Sequence, residues 1–178
     1  MDQAYDYKLI IPGEPKAQQR HRSVLRIRGG CRGVDVKLQS GEQVKLYRKE
    51  DFFIQMYDPS VKDKMDIRRM LQALAPDAPL DEPLEVVIFL YYGRPKNHYG
   101  TGRNARRLKE SAPIWKATAP DRDNADKFIL DALKGIFWRD DSRVCAGQVI
   151  KQYSETPRTE IIITKLAKNH EEKMLYLQ

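Results

Sequence analysis

Asp121-Arg122-Asp123-Asn124-Ala125-Asp126-Lys127-Phe128-Ile129-Leu130-Asp131-Ala132-Leu133-Lys134-Gly135 is the stretch from which the fold is read. Ala125, Phe128, Ile129, Ala132 and Leu133 recur at i, i+3, i+4, i+7 and i+8, one apolar stripe suited to packing on a sheet. Asn124, Lys127, Asp131 and Lys134 fall on a different, polar face. Gly135 supplies a stop. The spacing predicts a helix over residues 124–134, with Asp123 as its N-cap and Asp121 two residues earlier on an extended segment.

The strands follow outward from this helix. Residues 84–92 are apolar and β-branched, the composition of a central strand. Residues 144–153 and 158–166 read as two alternating strands, with Glu155-Thr156-Pro157 as their hairpin turn. Residues 7–11 read as a first strand, ended by Pro12-Gly13. Residues 14–22 are a polar, basic loop. Residues 23–48 hold three short alternating runs broken by Gly29-Gly30 and Ser40-Gly41, a β-hairpin or meander. A second helix is predicted from Ser60 as N-cap, with Asp63 in capping-box position, to about Leu74. Val61, Met65, Arg68 and either Met70 or Leu71 would share its inner face. Three prolines break residues 75–83. Residues 93–119 are irregular and basic, the candidate mobile loop, and residues 168–178 form a charged tail. The expected class is α+β: a mixed β-sheet with two main helices packed on one face. One domain over residues 1–178 is expected, with an ordered core at about 7–166.

The chain has 178 residues, 41% hydrophobic and 32% charged, which fits a globular protein and excludes wholesale disorder. Its longest apolar runs are far too short to span a bilayer, and the polar N-terminus carries no secretory signal. Cys31 and Cys145, with no close-spaced pair, exclude a disulfide framework and a zinc site; both are expected to be small buried residues in a reducing cytoplasm. A formal charge of +7 and a pI near 9.4 point to a polyanionic partner. The charge is clustered. Residues 16–48 are rich in Lys and Arg, and between Arg94 and Lys116 seven basic residues stand against one acid. Arg94, Lys96, Arg103, Arg106, Arg107 and Lys109 are the candidate phosphate contacts.

Two basic blocks around an acidic constellation frame a metal site. Side chains two apart on an extended chain point the same way, so Asp121 and Asp123 would face one ion. Beyond the helix stands a second acidic pair, Asp140-Asp141. Carboxylate oxygen is what Mg²⁺ or Mn²⁺ prefers, with waters and substrate phosphate completing the shell. The plainer alternatives are an Asp that caps helix amides and an ordinary acidic turn at Asp140-Asp141. An EF-hand is excluded, because Ala125 occupies the fifth loop position and no glycine follows.

The run Asp121-Arg122-Asp123-Asn124-Ala125-Asp126-Lys127, then Asp131-Ala132-Leu133, then Gly135-Ile136-Phe137-Trp138-Arg139-Asp140-Asp141-Ser142-Arg143-Val144, resembles the signature of the RusA family of Holliday-junction resolvases. Ile11-Pro12-Gly13-Glu14-Pro15-Lys16 is similar to the family's first strand and loop. The resemblance implies a RusA-like fold. It makes Asp121, Asp123 and Asp141 the metal-binding catalytic carboxylates and Lys127 the catalytic lysine. It further implies a Mg²⁺-dependent (or Mn²⁺-dependent) endodeoxyribonuclease acting on four-way junction DNA as a homodimer, cytoplasmic and associated with the nucleoid. Asp140 ranks below Asp141, and Asp131, at i+4 from Lys127, would position that amine. The chain departs from the pattern in length, at residues 23–48 and 93–119, and in lacking a dense arginine run before Asp121. The rival readings are a branched-DNA-binding protein without turnover and a nuclease for flaps or other branches.

Overall fold

A computed structural model describes residues 5–166. In chain order its main elements are β1 (Tyr7–Pro12), β2 (Arg22–Ile27), β3 (Val34–Lys37), β4 (Gln43–Leu46), β5 (Phe52–Tyr57), α1 (Val61–Leu71), β6 (Leu84–Gly93), α2 (Arg122–Leu133), β7 (Val144–Ser154) and β8 (Arg158–Lys165). They divide into two units: residues 19–59 form one, and the residues before and after them form the other.

The larger unit holds a four-stranded sheet in the order β1-β8-β6-β7. β8 runs antiparallel to both β1 and β6, and β6 runs parallel to β7. β6 alternates without a break: Leu84, Val86, Ile88, Leu90 and Tyr92 are buried and the residues between them are only half-buried. The buried side carries both helices. Phe128, Ile129, Ala132 and Leu133 of α2 and Ile67 and Leu71 of α1 share one core with Leu9, Ile161 and Ile163 of the neighbouring strands. This is the expected α+β class, a mixed sheet with two helices on one face. Each large side chain in that core contributes about 1.5–3 kcal/mol of transfer free energy.

Glu155-Thr156-Pro157 is not a hairpin turn, because β6 lies between β7 and β8. The turn residues announce a reversal of direction, and the chain does reverse. They do not say which strand will be the neighbour, and buried β6 takes the place between them. The link therefore crosses the end of β6, where Gly93 leaves room for it: a Cβ there would come within 3.3 Å of the Pro157 ring. Gly93 N donates to the Glu14 carboxylate at 3.0 Å, and Gly13 N donates to Pro157 O at 3.1 Å.

α1 differs from its expected form in two ways. Ser60 makes no side-chain cap bond, so the capping box with Asp63 does not form; Asp63 instead meets Lys16 at 3.3 Å. The inner face is Lys64, Ile67, Arg68 and Leu71; Arg68 and Leu71 lie there as expected, whereas Val61, Met65 and Met70 are exposed. The reason lies across the interface: Lys64 Nζ donates to Asp131 Oδ2 of α2 at 2.8 Å, which rotates α1 to put that row inward. Arg68 donates to the carbonyls of Ala132 and Lys134 at 3.3 and 3.0 Å, satisfying the C-terminal end of α2.

In the smaller unit β2 pairs with β5 and β3 pairs with β4, both antiparallel. The arrangement is two nested hairpins rather than a meander, and β5 extends beyond the predicted runs. No residue between 19 and 59 is buried. Neither cysteine is buried: Cys31 is half-buried in this thin unit, and Cys145 is exposed on the edge strand β7. The predicted tail at residues 168–178 lies outside the described residues.

The Lys64–Asp131 pair is mostly shielded from solvent, with side-chain exposures of 13% and 33%. Asp131→Ala removes a carboxylate from this shielded contact between the helices and should cost about 1–3 kcal/mol in urea unfolding, more than the 0–1 kcal/mol of an open surface pair.

Candidate active site

The chain enters α2 along the outer edge of β7. Tyr153 N donates to Ile114 O at 2.8 Å and Lys116 N to Lys151 O at 3.1 Å, so residues 114–116 lie beside the strand. Lys151 Nζ then holds the carbonyls of Thr118 and Pro120 at 2.8 and 2.5 Å. This clamp keeps the backbone extended up to Asp121, which is the N-cap, with φ −68° and ψ 149°. Asp123, expected at the cap, lies in the first turn of the helix instead, because the extended segment ends two residues earlier. Asp121 makes no side-chain cap bond, so capping does not occupy its carboxylate.

Burial of the stripe from Ala125 to Leu133 fixes the rotation of α2, and three further rows follow from it. Asp123 and Lys127, one turn apart, are exposed; among the described residues the Lys127 ammonium has no hydrogen-bond or ion-pair partner. Asp131 faces α1 and pairs with Lys64. It therefore does not position the Lys127 amine, because the nearer cation on α1 takes it. Arg122, Asp126 and Leu130 form the third row and line a cavity together with Asp141 and residues 144–149 of β7. Burial raises the Asp126 carboxyl above its usual range; Arg122 opposes this and the like charge of Asp123 adds to it. Asp126 was missed as a site residue. Its signal was there in the i, i+4 row through Arg122 and Leu130, one step round the helix from the row of Asp123 and Lys127.

Beyond the helix, Trp138 is fully buried and its indole N–H donates to Asp141 Oδ1 at 3.1 Å. One carboxylate oxygen is thus fixed by the core, while Asp141 as a whole reaches the cavity. Asp140 has a different task. It accepts from Ser142 N at 3.1 Å and lies 2.5 Å from Lys134 Nζ. The Lys134 hydrogen bond, with that from Ser142, pulls the Asp140 carboxyl down to about 2. Lys134 Nζ is 3.8 Å from Asp141.

The basic loop splits in function. Arg94 donates to Pro113 O and Lys109 to Asn97 O, each at 2.8 Å, and both fasten the loop to itself. Lys96, Arg103, Arg106 and Arg107 are exposed and carry no side-chain partner among the described residues. The three carboxylates expected to bind metal, Asp121, Asp123 and Asp141, would offer oxygen only, the donor type that Mg²⁺ prefers. Among the described residues, no three His, Cys, Asp or Glu side chains are gathered closely enough to hold an ion by themselves.

The model of the family described as endodeoxyribonuclease RusA matches residues 12–164, which include the clamp, α2 and the Trp138–Asp141 turn. The chain belongs to this family. Across 163 residues it is also 27% identical to the uncharacterized protein YqaN of Bacillus subtilis (strain 168), covering 90% of this chain and 96% of that protein. RusA proteins are endodeoxyribonucleases, and membership assigns this chain to nuclease chemistry on DNA. Among the described residues no helix is long and apolar enough to cross a membrane.

Trp138→Phe keeps an aromatic ring in the core but removes the donor to Asp141. It should cost about 1–3 kcal/mol of stability by chemical denaturation. The Lys134–Asp140 contact should appear in pH-dependent melting. Because the folded pKa of Asp140 lies below its unfolded value, its contribution is present above the ordinary carboxylate range and is lost as pH falls toward about 2. The gap in melting temperature between wild type and Asp140→Asn should be open at neutral pH and close in that acidic window.

Proposed function

We propose that this RusA-family chain is a divalent-metal-dependent endonuclease that resolves four-way DNA junctions by paired symmetric nicks. The observation that carries the reading is the Asp121 carboxylate, held at the mouth of α2 by the Lys151 clamp and left unused by helix capping. Asp123, one turn from Lys127, and Asp141, braced by Trp138, complete the proposed set. Asp121, Asp123 and Asp141 would hold Mg²⁺ or Mn²⁺, with waters and the substrate phosphate in the remaining positions. When bound, the ion supplies a Lewis acid at the scissile phosphate and a water of lowered pKa.

The chain's own groups do the rest. Lys127, exposed and unpaired, can place its ammonium against the phosphate oxygens and neutralise the charge that grows on them. Trp138 keeps Asp141 from turning away. Lys96, Arg103, Arg106 and Arg107 supply phosphate contacts that position the junction arms without reading sequence. Two nicks in strands of like polarity call for two active sites related by a two-fold axis, so the working form would be a homodimer. The site of action would be chromosomal DNA in the cytoplasm.

The test is cleavage of an end-labelled synthetic four-way junction, with flap and linear duplex controls, in Mg²⁺ or Mn²⁺. Wild type should make paired nicks. Asp121→Asn and Lys127→Ala should lower the rate by at least about 100-fold while keeping junction binding. Binding without nicks in either metal would favour the non-catalytic branched-DNA reading. Preferential cutting of flaps would move the substrate away from junctions.

A further inference from the structure

The β2–β5 ribbon carries a surface that the metal chemistry does not use. Antiparallel partners face the same way, so the register Arg22↔Tyr57, Val24↔Gln55 and Arg26↔Phe53 places two arginines and two aromatic rings on one face. The alternating residues put Leu25, Ile27, Ile54 and Met56 on the opposite face, and these are 40–71% exposed. The apolar side of the ribbon is therefore elsewhere, and Phe53 and Tyr57, at 40% and 41% exposure, do not serve it. Phe52, on the apolar side, meets the Tyr47 ring edge-on at 6.1 Å. Among the described residues, Phe53 and Tyr57 make no ring contact. Neither strand contains an acidic residue. Acids do flank β5: Asp51, just before it, accepts from Arg48 N at 3.0 Å, and Asp58 follows Tyr57; farther off, Asp35 meets Lys45 at 3.7 Å and Glu50 meets Arg48 at 3.9 Å.

We propose that the Arg22–Tyr57 and Arg26–Phe53 pairs form a binding face for unpaired bases of branched DNA. Each ring stacks on one base, each guanidinium holds a neighbouring phosphate, and Gln55 between them offers an amide to a base edge. The chemistry selects the ligand. Stacking uses the face of a base, which a continuous duplex hides and an open branch point or a single strand presents. Arginine adds positive charge on strands that themselves hold no acid, which suits a polyanion. Equivalent groups at the two ends of the face are four residues apart, about 13 Å along an extended strand, so each ring takes its own base. The inference rests on the nuclease reading only for its choice of DNA as the polyanion.

The experiment uses the full chain, with its metal replaced by Ca²⁺ to hold cleavage off. Binding is read by fluorescence anisotropy on a four-way junction, a single strand and a linear duplex. The junction carries 2-aminopurine at the branch. Wild type should quench that fluorophore. Phe53→Leu/Tyr57→Leu, which keeps apolar side chains at both positions, should abolish the quench. It should also weaken junction and single-strand binding by roughly 10-fold or more, with duplex affinity unchanged within about twofold. Arg22→Gln/Arg26→Gln should flatten the salt dependence of single-strand binding by about 1.4 in slope. Unchanged junction affinity and quench in the ring variant would overturn the proposal, as would equal weakening on all three DNAs. If wild type still cuts junctions in Mg²⁺ under either of those results, the nuclease reading stands and only the ribbon assignment falls. Wild type that neither binds nor cuts any DNA overturns both.

Discussion

Everything at the candidate active site depends on how α2 is seated. Ala125, Phe128, Ile129, Ala132 and Leu133 are almost completely withdrawn from water against the sheet, and no other rotation of the helix would bury them all. The remaining positions have no freedom after that. Asp131 is delivered to α1, Asp126 to the cavity beside β7, and Asp123 and Lys127 to solvent. The ends are fixed as firmly as the middle: Lys151 and the Gln18 N–H to Asn124 O bond at 2.8 Å hold the entrance, and Arg68 holds the exit. A site assembled on such an element inherits its rigidity, which a site on loops would lack.

The two adjacent aspartates after α2 show how neighbouring residues of one type are given separate work. Asp140 is neutralised by Lys134 and organises the short turn that follows it. Asp141 is tied at one oxygen to an indole inside the core and reaches the cavity alongside Asp126. Lys134 lies close enough to both to limit the build-up of negative charge among Asp131, Asp140 and Asp141. Asp126 has only partial relief from Arg122, and its carboxyl is held above the ordinary range chiefly by burial.

What could be read from the sequence was local. The stripe of α2 and the run of β6 carry their own periodicity, and both elements lie within a residue or two of the expected spans. The position of the α2 cap was misjudged because Asp121 and Asp123 are equally good capping residues; the choice is made by Lys151, thirty residues further on. Val61 and Met65 were placed on the inner face of α1, and Lys64 left off it, for a similar reason. A lysine in the middle of a helix looks like a solvent residue until its partner on another helix is known. The Glu155–Pro157 link was taken for a hairpin because a reversal and an adjacency leave the same mark in a sequence. The acidic motif was legible as a pattern of residue types, while the place of Asp126 in the cavity depended on the burial of its neighbours.

The passage of that link across β6 has a consequence for how the protein is made. β8 sits between β1 and β6, and both of these are translated well before it. Until β8 emerges, β1 has no partner in the sheet and β6 has one face of its hydrogen-bonding ladder open. The sheet therefore cannot zip up progressively from the N-terminus during synthesis. It closes by insertion of its last-made strand, pairing Tyr7 with Ile163 across almost the whole chain. Folding of this kind is dominated by distant contacts and is slow. The helix that carries the acidic residues is already synthesised during that interval, but the floor it rests on is incomplete until the ribosome has passed β8.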